Sequence, residues 1–319
     1  MCTAVSYTGE SHFFGRNLDL EYGYREQVVV TPRHYPFRFR CGYLLPHHYA
    51  MIGMATVANG EPLYYEATNE RGLSMAGLHF PESAVYHPKT AEKDNIAPFE
   101  LIPWILGQCD SVAQAKKLLQ RASIWSLPYS REFPLSPLHW MIADKDSCLV
   151  AEPVAEGLKI YENPVGVLTN EPPFPYHMHR LKDFMQLHPG RAENRLPGWE
   201  LKAYSNGMGA LGLPGDYSSA SRFVKAAFVK ANSESQGSDV SQFFHILSSV
   251  AMPSGSIRIG DHSEITRYAC CCDTEKGIYY YTTYNNPRLR AVQLRNANID
   301  SQLLTAFDLM MNTDIFWQN

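Results

Sequence analysis

The chain has 319 residues, 45% of them hydrophobic and 19% charged, with a formal net charge of −4. That is enough apolar chain for a substantial core, and the mildly acidic balance argues against nucleic acid or an anionic membrane surface as the main partner. No run approaches the ~18 apolar residues of a membrane span, and Gly and Pro are dispersed without forming a linker, so one domain over residues 1–319 is expected.

The first element carries the first candidate site residue. MCTAVSY places Cys2 directly behind Met1. If Met1 is removed, one residue carries both a thiol and a free α-amine, with reference pKa values near ~8.5 and ~8, able to share a proton around neutrality. Any residue can follow Met, so Cys2 alone decides nothing. GESHFFGRNLDLE lacks the basic leader and apolar run of a secretory signal. Its second half reads as a strand whose pairing with the first brings Arg16 and Asp19 near the N-terminal residue. Arg16 can then stabilise a thiolate and Asp19 orient an α-ammonium, or the two form an ion pair on a turn. Tyr22 and Tyr24, and later Phe80, suit either plain core or the lining of an apolar pocket.

QVVVTPR and YAMIGMATV continue the strands, rich in β-branched and aromatic residues. NERGLSMAGLHFPE reads as a turn and a strand ending at His79. DSVAQAKKLLQRA is a helix opening on a capping box, Ser111 to Gln114, with apolar residues at 112, 115, 118 and 119. LHWMIAD, SCLVAEP, LKIYEN and VGVLTNE are strands whose short connections suit antiparallel hairpins and exclude parallel crossovers. Asn170, in GVLTNEPPF, sits at a strand end, where its amide can donate to an oxyanion or simply hold a turn. His139 and His245 fall in apolar periodic segments and are expected in the core or an interface. His177 and His179, in PYHMHRL, alternate in a helical stretch, a poor spacing for a shared metal.

Residues 181–216 form an irregular excursion ending in a Gly-rich loop. SASRFVKAAFVKAN and DVSQFFHILSSVAM are helices. Arg222 lies in the first turn of the former, where the dipole disfavours a cation, so another interaction is expected to hold it. EITRYACCC and GIYYYTTY close the series, with Cys270 to Cys272 expected as small hydrophobes in a buried strand. Seven cysteines without C-x-x-C spacing suggest a reducing, cytoplasmic setting. Antiparallel strands alternating with pairs of helices predict layered sheets covered by helices on their outer faces.

Taken in order, Met-Cys-Thr, FGRNLD, NERGLSMAGL, GVLTNEPPF, GLPGDYSSASRF, FFHILSSV and EKGIYYYTTY resemble the choloylglycine hydrolases, the bile salt hydrolases and penicillin V acylases among the N-terminal nucleophile hydrolases. The resemblance runs along nearly the whole chain. It implies an α+β fold, the four-layer αββα sandwich, and hydrolysis of an amide bond through an acyl-enzyme on the N-terminal cysteine. Carried onto matching positions, it implies Cys2 as nucleophile with its own α-amine as base, flanked by Arg16 and Asp19. It further implies Asn170 as an oxyanion donor and Arg222 as the completion of the polar network. No metal or cofactor is implied, and a homotetramer is.

His79 is a departure, since bile salt hydrolases usually carry Asn there and penicillin acylases often Tyr. The family's second oxyanion donor at this position is a main-chain N–H, which His79 can supply, while its side chain is expected to line the cleft and affect substrate choice. FGRNLDLEYGY and LHFPES are nearer the bile salt pattern. The expected reaction is therefore release of glycine or taurine from conjugated bile acids, with penicillin V and N-acyl homoserine lactones as alternative substrates. A silent binding protein is disfavoured, because it would have no physical reason to keep a thiol beside a terminal amine. The Gly-x-Gly element at Gly207 and Gly209 resembles members that lean to glycine conjugates.

Overall fold

The computed structural model describes residues 1–235 and 237–319. Strand β1 (Cys2–Thr8) turns into β2 (His12–Leu20), followed by β3 (Gln27–Thr31), β4 (Met51–Ala58), β5 (Glu61–Asn69) and β6 (Ser74–His79). Helices α1 (Leu101–Gln108) and α2 (Val112–Arg121) come next. Strands β7 (Leu138–Ala143), β8 (Cys148–Val154), β9 (Gly157–Glu162) and β10 (Val167–Leu168) lead to α3 (Phe174–Arg180). Beyond the excursion lie α4 (Ser219–Ala231), α5 (Asp239–Ser248), β11 (Ile265–Asp273), β12 (Ile278–Thr283), β13 (Asn286–Gln293) and β14 (Thr305–Asp308).

These strands form a six-stranded sheet, ordered β10-β1-β2-β11-β12-β13, and an eight-stranded sheet, ordered β9-β8-β7-β6-β5-β4-β3-β14. Every pairing within the two is antiparallel. One apolar cluster joins the inner faces of the sheets and continues through the six-stranded sheet to α4 and α5. A second fills the space between the eight-stranded sheet and α1 and α2. The layers are thus the expected αββα. Both faces of each sheet are covered, which is why central strand β2 is buried almost throughout although its sequence is mixed. Among the described residues no helix is long and apolar enough to cross a membrane.

Several local expectations change. Ser111 is the N-cap of α2 but makes no side-chain cap; Asp144, from the β7–β8 turn, accepts from the Val112 N–H at 2.7 Å instead, and Gln114 accepts from the Asp110 N–H. A tertiary acceptor has replaced the local one. A small parallel ladder, Asp94–Ile96 with Ala122–Ile124, spans the helical pair outside the main sheets. His245 is exposed on α5 and so lies outside the core, whereas His139 is fully buried. Cys270, Cys271 and Cys272 are buried free thiols on β11.

Candidate active site

Pairing between β1 and β2 sets Cys2 opposite Leu18 and Ala4 opposite Arg16, so these four side chains share one face; Thr3, Asn17 and Asp19 share the other. Arg16 identifies its face as the inner one, because its Nη1 crosses to the second sheet and donates to Gly77 O at 2.5 Å and Tyr65 O at 3.3 Å. Burial opposes the Arg16 charge, but the fields of Cys2, Tyr268, Glu66 and Cys270 outweigh it and hold its pKa above the ordinary value. Glu66 lies 3.8 Å from Arg16 Nε and accepts from the Tyr268 and Tyr279 hydroxyls at 2.8 and 2.6 Å. The sequence signal for Glu66 is an acid at an inward position of the YYEATN strand.

Asp19 lies behind the strand. Its Oδ1 accepts from Thr266 Oγ1 at 2.6 Å, its Oδ2 has no partner among the described residues, and burial raises its pKa. The possible turn ion pair between Arg16 and Asp19 is therefore absent: the strand separates them. The Met1 ammonium donates to the Asp19 carbonyl at 2.7 Å and pairs with the buried Glu264 carboxylate. Burial lowers the pKa of that amine.

Asn170 and Arg222 close the site from the other side. The Cys2 N–H donates to Asn170 Oδ1 at 2.8 Å, and Arg222 Nη2 donates to the same oxygen at 2.8 Å. Arg222 Nη1 donates to Cys2 O at 2.5 Å and Thr3 Oγ1 at 2.6 Å, and its Nε to Tyr217 O at 3.0 Å. Those acceptors hold the guanidinium in the first turn of α4 against the dipole. Burial lowers its pKa, opposed by Asp19 and Cys2.

Asn170 Nδ2 donates to the His79 carbonyl at 2.8 Å. Along β6 the main-chain groups alternate sides. Phe80 N–H bonds toward β7, at Pro137 O, so those of Gly77 and His79 face the opposite side, where pairing with β5 has ended at Ala76. Arg16 takes the Gly77 carbonyl there and Asn170 that of His79, and the His79 N–H faces the same gap. The His79 side chain is exposed at the end of β6, and burial followed by the field of the terminal amine lowers its pKa.

An apolar cavity of about 180 Å³ adjoins this gap, lined among others by Tyr24, Tyr65, Gly77, Phe99, Leu138 and Trp140. Tyr65 and Gly77 are also the Arg16 acceptors, which ties cavity and polar network together. Tyr24 thus belongs to the cavity, Tyr22 is exposed, and Phe80 is core. The two glycines of the excursion have local reasons. Gly207 adopts a left-handed φ of 77°, and a Cβ on Gly209 would meet the His188 carbonyl at 2.6 Å. His177 points inward and donates to Asn170 O, while His179 is exposed, so the two do not converge.

The family model for linear amide C–N hydrolases of the choloylglycine hydrolase family matches residues 2–307. The chain is similar to the bile salt hydrolase/transferase of Lactiplantibacillus plantarum, at 47% identity with 100% of both chains covered. Among solved structures it is similar to the conjugated bile acid hydrolase of Clostridium perfringens, with a TM-score of 0.94 and 34% identity over 100% of each chain. The penicillin V acylase of Agrobacterium tumefaciens shares the fold, with a TM-score of 0.77 and 17% identity over 98% of this chain and 94% of that one. With its αββα layers and a cysteine at the head of the first strand, the chain belongs to the choloylglycine hydrolase family of linear amide C–N hydrolases.

Proposed function

We propose that the chain, once Met1 is removed, hydrolyses the amide bond of glycine- or taurine-conjugated bile acids. The observation that carries this reading is the setting of Cys2: its thiol shares a buried face with Arg16, and its nitrogen is bonded to Asn170 beside Arg222. Loss of Met1 turns that nitrogen into an amine. The nearby cations Arg222 and Arg16 disfavour an ammonium, so the amine is suited to act as base. The unpartnered Oδ2 of Asp19 is a ready acceptor for one of its protons.

In this reading the thiol proton passes to the α-amine as sulfur attacks the amide carbonyl. Asn170 Nδ2 and the His79 N–H donate to the developing oxyanion. The C–N bond then breaks, the ammonium returns its proton to leaving glycine or taurine, and a thioester remains. Water attacks the thioester, gives its proton to the amine, and releases the bile acid and the free thiol. The adjoining apolar cavity suits part of the hydrocarbon body of such a substrate. We place the enzyme in the cytoplasm as a single-domain homotetramer; the exposed Leu196, Trp199 and Leu201 of the excursion support self-association, which sedimentation of the purified protein tests.

The functional test is release of glycine and taurine from paired bile salts, run beside penicillin V, for wild type and Cys2→Ala. Bile salt cleavage that vanishes in the variant is expected. Cleavage of penicillin V alone would replace the substrate assignment, and an active Cys2→Ala would remove the nucleophile.

A further inference from the structure

We infer that His139, Glu152 and His177 form a buried clamp that positions both oxyanion donors; the inference rests on the functional reading of Asn170 and the His79 N–H above. All three residues are fully buried. His139 Nε2 lies 3.0 Å from the Thr169 carbonyl, which can only accept. Its Nδ1 lies 3.0 Å from Glu152 Oε1, an oxygen that also accepts from the Phe174 N–H at 3.0 Å. The ring thus ties the carbonyl that precedes Asn170 to Glu152, with one nitrogen on each.

His177 treats the next carbonyl the same way: its Nε2 lies 2.9 Å from Asn170 O. Burial holds its pKa at about 4, so the ring is neutral with its proton on the nitrogen that meets the carbonyl. Consecutive carbonyls, Thr169 and Asn170, are thus each held by a buried histidine, one from β7 and one from α3. Ser219 Oγ accepts from the Asn170 N–H at 2.8 Å. With its backbone fixed on both sides, Asn170 can present one amide to Cys2 and the His79 carbonyl at once.

The same histidine reaches the second donor. The His139 ring stacks on Phe80 at 4.3 Å with an interplanar angle of 5°. Phe80 directly follows His79, so the clamp fixes the end of β6 as well as the 169–170 segment. One donor ends β6 of the eight-stranded sheet and the other lies two residues beyond β10 of the six-stranded sheet, and this cluster touches both segments. Such outer contacts matter because a displacement of about 1 Å at a reacting group can reduce turnover by ~10²-fold.

The test uses variants that keep the cavity and Cys2 untouched. Glu152→Gln preserves shape and an acceptor for Phe174, but replaces the carboxylate that holds His139 Nδ1 with a neutral amide. His177→Leu removes the bond to Asn170 O, and His177→Gln supplies an amide donor near the Nε2 position. Expected for Glu152→Gln and His177→Leu is a fall in kcat of ~10–10²-fold with little change in KM. The rate of Cys2 alkylation by iodoacetamide should stay at wild type, and His177→Gln should recover most of kcat. Folded variants with wild-type kcat would overturn the clamp. So would alkylation falling in parallel with kcat, or a His177→Gln no better than His177→Leu. The His177 pair carries the test if Glu152→Gln does not fold. Cys2→Ala and Asn170→Ala in the same assay separate the failures: an active Cys2→Ala sinks the functional reading, whereas inactive controls beside unaffected clamp variants sink the clamp alone.

Discussion

Replacing Asn170 separates what that residue does for chemistry from what it does for the fold. Asn170→Ala removes the Nδ2 donor, and losing one oxyanion donor lowers kcat by ~10²–10³-fold, about 3–4 kcal/mol of transition-state stabilisation. KM should move much less, because the charge met by the amide develops only in the transition state. The same substitution removes Oδ1, the acceptor for Arg222 Nη2, and strands a buried charged donor. That costs about 1–3 kcal/mol of stability, or a Tm lower by roughly 2–10 °C for a domain of this size. Asn170→Asp behaves differently. It keeps the acceptor and adds a negative charge beside Arg222, so the Tm loss should be smaller than for Ala. It also places a carboxylate where the oxyanion forms, so kcat should fall at least as far. The assay is kcat and KM for glycine release from a conjugated bile acid, beside Tm by differential scanning fluorimetry. An Asp variant within about tenfold of wild-type kcat would refute Asn170 as a donor. An Ala variant with intact kcat and raised KM would make it a substrate-positioning residue.

Active protein should show complete loss of Met1 by intact-mass spectrometry, since a peptide nitrogen at Cys2 cannot serve as base; full retention in active protein would end the mechanism. Thiol alkylation should abolish turnover in step with labelling of Cys2. The partly exposed Cys41 should label without loss, while burial, which pushes the thiols of Cys270, Cys271 and Cys272 up, should protect them. His79→Asn should shift the ratio of kcat/KM between bile salts and penicillin V while leaving acyl transfer intact, because the imidazole ends β6 within the field of the terminal amine; an unchanged ratio would point it away from the cleft. His12 and His177 are held at a pKa of about 4 by burial. Unfolding lets both take up protons below pH 6.5, so stability should be full above that value and fall toward pH 4, by about 3 kcal/mol for each residue. Urea unfolding at several pH values checks this, and a His12→Gln variant with an undiminished slope would contradict it.

The sequence by itself determined the strands, most helices and the head of the site. β-Branched and aromatic runs bounded by turns are local signals, so HFFGRNLDL, LHWMIAD and ACCC announce buried strands without knowing their partners. Cys2 was legible because its chemistry depends on being next to the terminus. The hairpin from β1 to β2 is also local, which brought Arg16 and Asp19 close to it. Which face each occupies was not legible. Register alone sets Arg16 with the thiol and Asp19 behind the strand. Asp144 capping α2 and exposed His245 show the same limit: a turn 32 residues away supplied one hydrogen bond, and packing of one helix face exposed the other. His139, Glu152, Asn170 and His177 come from separate elements, and nothing in any one segment specifies that they meet. Local periodicity encodes the direction of a side chain; only the stacking of two sheets and the path of the chain between them decide what it faces.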